Sequence, residues 1–293
     1  MYMFCNGAIV KESEARISPF DHGFLYGLGV FETFRLYDGH PFLLDDHLDR
    51  LNAALKELNI SGNVDREEIT GILDKLILAN GYDNARIRLN VSAGNSPMGL
   101  QTSPFNNPNM LVFMSPISME DILLEKKAVL LKTPRNTPET GVRLKSHHFL
   151  NNIAAKREIS DQPGTEGIFL TENGFIAEGI ISNIFWVSNG TIYTPDLSTG
   201  ILNGITRQWI IEYAYHIGLR CEEGFFTPAD LKRADELFYT NSIQEIVSVY
   251  SIDSGSRFQG KSGPVTRKLY EGYQRFKKQI SSRNELHTYG EIL

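Results

Sequence analysis

The chain has 293 residues, 41% hydrophobic and 22% charged, enough for two ordinary domains with real cores. Its 29 basic residues against 35 acidic ones give a formal charge of −6, so a broad nucleic-acid footprint is not expected. The two cysteines, Cys5 and Cys221, form no C-x-x-C pattern, and neither a secretory leader nor a run of eighteen apolar residues is visible; the expectation is a soluble protein of a reducing cytoplasm.

In chain order, Asn6-Gly7 between two short apolar runs predicts a hairpin turn. Residues 31–37 alternate as a strand, and Asp38-Gly39 turns it into a short run over 41–44. Leu44, Leu48, Leu51, Leu55 and Leu58 recur at helical spacing, which predicts an amphipathic helix over 45–58. A second helix is predicted over 66–79, stopped by Asn80-Gly81. Residues 86–92 and 110–114 read as strands, and the polar stretch 115–121 as a crossing between domains. Beyond it come a strand over 128–131, a helix over 146–159, a hairpin of 168–171 with 175–177, and another of 184–187 with 191–193. A helix opens at Gly204 and runs to about Ile217; strands over 236–240 and 245–250 precede a last helix near 265–279. So many hairpins predict an α+β chain with mixed, largely antiparallel sheets.

Several polar residues stand out. The segment Asn203-Gly204-Ile205-Thr206-Arg207 opens a helix whose first-turn amides and threonine hydroxyl suit a phosphate, although ordinary capped starts look the same. Glu178 sits in the apolar run 175–181, so its carboxylate either faces solvent at a bulge beside Gly179 or meets a partner such as a protonated ring nitrogen. Lys145 has an amine suited to Schiff-base chemistry, yet its neighbours do not set it apart from a surface lysine. Arg50, beside the apolar stripe of the first helix, can hold an anion by paired N–H bonds or pair with Asp46 one turn back. His147 and His148, adjacent on the predicted helix, point about 100° apart and make no metal pair.

Order and spacing together resemble the fold-type IV pyridoxal-phosphate family, also called class IV aminotransferases, over nearly the whole chain. The likeness is carried by Asp21-His22-Gly23 with Tyr26-Gly27-Leu28-Gly29-Val30-Phe31-Glu32-Thr33, and by His47-Leu48-Asp49-Arg50-Leu51. It continues through residues 145–152, Glu178-Gly179 with Ser182-Asn183-Ile184-Phe185, residues 200–207, and Thr240-Asn241-Ser242 running into Glu245-Ile246-Val247. The resemblance implies a two-domain fold like that of D-amino-acid aminotransferase, with a smaller domain over 1–117, a larger one over 122–293, and the cofactor site between them. It also implies a homodimer and pyridoxal 5′-phosphate. Lys145 matches the lysine that carries the cofactor covalently, Glu178 the acid facing the pyridine nitrogen, and Arg50, Ile205, Thr206 and Thr240 the phosphate ligands.

Branched-chain enzymes of the family have a tyrosine where Leu150 stands here and a glycine where this chain has Thr33. Ser92-Ala93-Gly94 lacks the arginine with which D-amino-acid enzymes grip a substrate carboxylate. Phe31-Glu32-Thr33 and residues 240–245 look most like the aminodeoxychorismate lyases, although Asn95-Ser96-Pro97-Met98-Gly99 departs from the glycine- and arginine-rich stretch of some of them. That likeness implies conversion of 4-amino-4-deoxychorismate to 4-aminobenzoate and pyruvate, a step of folate biosynthesis. Lys145 is then the catalytic amine, Thr33 a second candidate proton donor, and Arg86 and Arg88 the candidate carboxylate partners. Arg88 also stands where branched-chain enzymes carry an arginine, which keeps a branched-chain or D-amino-acid aminotransferase as the alternative.

Overall fold

Asn6 and Gly7 both take positive φ, 47° and 95°, as a two-residue hairpin turn requires. They join β1 (Tyr2–Cys5) to β2 (Ala8–Lys11) with Cys5 opposite Ala8. The computed structural model describes residues 1–118, 122–253 and 255–289. Of these, 1–118, Leu144–His148 and Lys277–Ser282 pack as one unit, and the remainder as a second.

The first unit continues with α1 (His22–Tyr26), β3 (Gly29–Tyr37), β4 (His40–Pro41), α2 (Leu44–Glu57), α3 (Arg66–Asn80), β5 (Ala85–Ser92) and β6 (Asn109–Pro116). Its sheet has the order β2-β1-β6-β5-β3-β4, every pairing antiparallel. Strand alternation separates two faces. Val30, Phe34 and Leu36 of β3, with Ile87, Leu89 and Val91 of β5, form the core with Leu48, Leu51 and Leu55 of α2 and Ile69, Leu73 and Leu76 of α3. The other face carries Phe31, Thr33 and Arg35, whose register partners are Asn90, Arg88 and Arg86. The leucine spacing places α2 within a residue of its predicted span, and Gly81, at φ 77°, ends α3 where the Asn-Gly stop predicts it.

Two expectations need correction here. The run 41–44 is not a strand: only His40–Pro41 pairs with β3, Leu43 turns into the left-handed region at φ 55°, and α2 begins at Leu44. The helix predicted over 146–159 begins only at Leu150, as α4 (Leu150–Glu158). The residues before it are drawn to β3 instead: Phe31 N–H donates to the Lys145 carbonyl (2.9 Å) and His147 N–H to the Gly29 carbonyl (3.0 Å). Of the predicted crossing 115–121, Ser115 and Pro116 finish β6, and residues 119–121 lie outside the described residues.

The second unit holds β7 (Leu124–Leu130), α4, β8 (Thr165–Leu170), β9 (Ile176–Gly179), β10 (Asn183–Ser188), β11 (Thr191–Pro195), α5 (Ile205–His216), β12 (Cys221–Gly224), α6 (Pro228–Lys232), β13 (Glu236–Asn241), β14 (Glu245–Ile252), β15 (Ser256–Arg257) and α7 (Pro264–Phe276). Its sheet runs β12-β11-β10-β13-β14-β7-β8-β9, with β15 on β14. Pairings β11–β12, β14–β7 and β7–β8 are parallel and the others antiparallel. The protein is therefore α+β with mixed, largely antiparallel sheets, as the hairpin-rich sequence predicts. Ile168, Ile176, Ile184, Trp186, Leu237, Tyr239 and Val247 fill the core of this sheet. Among the described residues no helix is long and apolar enough to cross a membrane.

Candidate active site

In the first unit, the bridge to β3 fixes the backbone of Lys145. Its Nζ stands over the Phe31 ring, 4.9 Å from the centroid, and the Arg88 guanidinium stands over the same ring at 3.6 Å. Arg88 Nη2 donates to Asn90 Oδ1 (3.2 Å), which also meets His147 Nε2 at 3.0 Å. The arginine fixes that amide oxygen as an acceptor, so the histidine must donate to it. Burial, and then the neighbouring Arg88, push His147 down to about 4, leaving a neutral ring at pH 7. Burial, with Arg86 behind it, also pushes Arg88 below its ordinary value. Thr33, half-buried, lies directly across from Arg88 in register, and the exposed Arg86 is two residues farther along the same face.

Arg50 projects from α2 to the core side of the sheet. Its Nε and Nη2 donate to the two carboxylate oxygens of Glu32, each at 2.7 Å, and His47 Nδ1 lies 2.6 Å from Oε2. Glu32 is 1% exposed. Burial alone would raise its pKa, but the charge of Arg50 and the contacts of His47 outweigh it and push the carboxyl down to about 2. Burial pushes His47 down in spite of Glu32, so a neutral ring donates its Nδ1–H to an ionised carboxylate. The carboxylate that clamps Arg50 thus comes from β3.

In the second unit, Glu178, next to last in β9, is 5% exposed, which settles its two sequence readings against the solvent-facing bulge. Arg135 Nε donates to Oε1 (2.8 Å) and Arg143 Nε stands 3.8 Å from the same oxygen. Leu202 N–H (3.1 Å) and Asn183 Nδ2 (3.5 Å) donate to Oε2. Burial and the charge of Arg135 push Arg143 down to about 10, against the pull of Glu178. Asn183 ties this acid to Thr240 and the approach to α5: it is the register partner of Thr240 and donates to the Leu202 carbonyl (2.8 Å). Its side-chain oxygen occupies the space that a Cβ on Gly204 would fill. Gly204 caps α5 without a side-chain hydrogen bond, and Thr206 Oγ1 lies 3.4 Å from Ser242 Oγ.

Thr240 Oγ1, on a residue 1% exposed, and Ser182 Oγ have no hydrogen-bond partner among the described residues. A buried hydroxyl left unpaired costs about 1–3 kcal/mol, a deficit that an anion reaching the Thr240 hydroxyl would remove. The residues present therefore fit a phosphate-bearing cofactor.

Lys145, Thr33, Arg86 and Arg88 share one face of the first sheet and Arg50 joins its other face. Glu178, Ile205, Thr206 and Thr240 gather in the second unit. The sequence reading passed over Glu32, His47, Asn90, Arg135 and Asn183 as polar partners. Glu32 has a local signal, an acid between Phe31 and Phe34 in a strand, the same kind that singled out Glu178. Arg135 and Asn183 have none.

The family model for amino-transferase class IV matches residues 29–252. An aminodeoxychorismate lyase from Bacillus subtilis (strain 168) is 49% identical over 290 residues, 98% of this chain and 97% of that protein. The branched-chain amino acid aminotransferase of Escherichia coli superposes with a TM-score of 0.86 at 28% identity over 94% of each chain. The T.th. enzyme of the same name, solved with pyridoxamine 5′-phosphate, gives 0.85 at 28% identity, again over 94% of each chain.

Proposed function

The chain belongs to the class IV aminotransferase family, and from that premise we propose that it is an aminodeoxychorismate lyase using pyridoxal 5′-phosphate. The observation that carries the reading is 49% identity to such a lyase along nearly the full chain, against 36% to a putative branched-chain-amino-acid aminotransferase and 28% to two of the branched-chain transaminases it superposes on. The reaction converts 4-amino-4-deoxychorismate to 4-aminobenzoate and pyruvate.

When bound, pyridoxal phosphate supplies an electron sink for charge that develops beside the substrate nitrogen. Lys145 Nζ would hold the cofactor covalently and, once displaced by the substrate amine, would take the proton from the ring carbon that bears that amine. Glu178, its carboxylate kept in place by Arg135 and the Leu202 amide, would hold the proton on the pyridine nitrogen. Arg50, the first amides of α5 at Ile205 and Thr206, and the Thr240 hydroxyl hold the phosphate. Lys145 Nζ or Thr33 Oγ1 returns a proton to the departing enolpyruvyl group, and aromatisation of the ring drives the step. Arg88 and Arg86 face the carboxylates of the substrate. We read the enzyme as a cytoplasmic homodimer.

Anaerobic mixing of the enzyme with freshly made aminodeoxychorismate tests the reading. Aminobenzoate and pyruvate should form in equal amounts with no 2-oxo acid present. Turnover that starts only when a 2-oxo acid is added would make the protein a transaminase instead.

A further inference from the structure

A carboxylate on the core face of β3 is an anomaly that stability does not explain. Glu32 follows Val30 and precedes Phe34 and Leu36 on that face, all three fully buried in the hydrophobic core. An ion pair in such a place gains little over well-packed apolar side chains, because desolvation offsets the attraction. What the group does accomplish is geometric. Each of its oxygens takes one nitrogen of the Nε–Nη2 edge of Arg50, and His47 Nδ1 fixes Oε2 from a second position on α2. A bidentate contact of this kind sets both the plane and the direction of a guanidinium. An arginine side chain otherwise loses rotamer entropy when a ligand immobilises it.

We infer that Glu32, braced by His47, is a positioning residue that holds Arg50 ready for the cofactor phosphate, so that the loss of rotamer freedom falls at folding and not at binding. The inference rests on the reading that Arg50 takes the phosphate. It also makes the contribution of Arg50 depend on a residue that touches no part of the cofactor.

The test uses the full chain freed of cofactor and compares titration by pyridoxal phosphate with titration by pyridoxal, which has the same aldehyde and ring but no phosphate. Glu32→Gln keeps the shape of the side chain and removes its charge. It should raise the Kd for pyridoxal phosphate by about tenfold or more while leaving that for pyridoxal within about twofold. Arg50→Gln should remove the same preference, and the double variant should be no worse than Arg50→Gln alone, since the first residue acts through the second. If Glu32→Gln weakens both ligands equally, or neither, Glu32 is only structural and the inference fails. If Arg50→Gln itself leaves the preference intact, the assignment of Arg50 to the phosphate falls, and the inference with it.

Discussion

His147 shows how a single side chain near Lys145 couples stability to pH. Its ring is held neutral, at about 4, by burial and by Arg88, whereas a histidine in an unfolded chain takes a proton near 6.5. Below about 6.5 the unfolded chain binds a proton that the folded one refuses. This share of the stability is therefore complete above 6.5, declines as the solution is acidified, and is gone once pH falls through about 4. Allowing for partial exposure, its size is on the order of 2 kcal/mol. His147→Phe keeps a ring beside Phe31, 6.4 Å between centroids in the native pair, and removes the titrating site. Urea midpoints recorded from pH 7.5 to 4.5 should decline less steeply in this variant, and parallel slopes would rule out the coupling. What the sequence reveals at this scale depends on context. Glu178 stands out as an acid among apolar neighbours, and its burial was one of two readings open from the sequence. His147, placed on a helix by pattern, belongs to an extended segment whose hydrogen-bond partner, Gly29, lies far back in the chain. A Cβ at Gly29 would fall within 2.7 Å of His147 Nδ1, so the glycine is the complement of that ring, a fact no local pattern carries.

Among the elements, α7 depends on a cap from outside its own sequence. Glu236 of β13 is buried, and its carboxylate accepts from Val265 N–H (3.1 Å) and from both the amide and the hydroxyl of Thr266 (2.7 Å each). A negative charge at the first turn satisfies amides that no helical carbonyl reaches and opposes the helix dipole. Glu236→Gln places an amide where one acceptor stood and removes the charge, and should lower unfolding stability by about 1–2 kcal/mol. A urea midpoint equal to that of the native chain would show that α7 needs no such anchor. Elements that stabilise themselves locally are the ones the sequence displays: the leucine stripe of α2, the Asn-Gly stop of α3, the hairpin turns at 6–7 and 189–190. The five-residue α6 was missed although Thr227 and Asp230 form a capping box, because apolar spacing gives no signal over so few residues. The strand-like residues before α4 were read as helix because their hydrogen bonds go to β3.

At the scale of the whole chain, two segments join the first unit from far along the sequence: Lys145 with its neighbours through the bridge to β3, and 277–282 through Leu43 N–H to the Ile280 carbonyl and Asp45 N–H to the Ser281 carbonyl. A break in composition marks neither. One consequence concerns the cofactor. Both tryptophans, Trp186 and Trp209, are buried in the second unit, so tryptophan fluorescence follows the melting of that unit. A ligand present at about a hundred times its Kd stabilises what binds it by about 2.7 kcal/mol. If Lys145 and Arg50 of the first unit and Glu178 and Thr240 of the second hold one pyridoxal phosphate, saturating cofactor must raise the tryptophan-detected melting temperature. Lys145→Ala, a change confined to the first unit, must then shrink that rise. Circular dichroism on the same samples reports both units and should move in step. A tryptophan shift of full size in Lys145→Ala would mean that the lysine and the residues around Glu178 do not serve the same ligand.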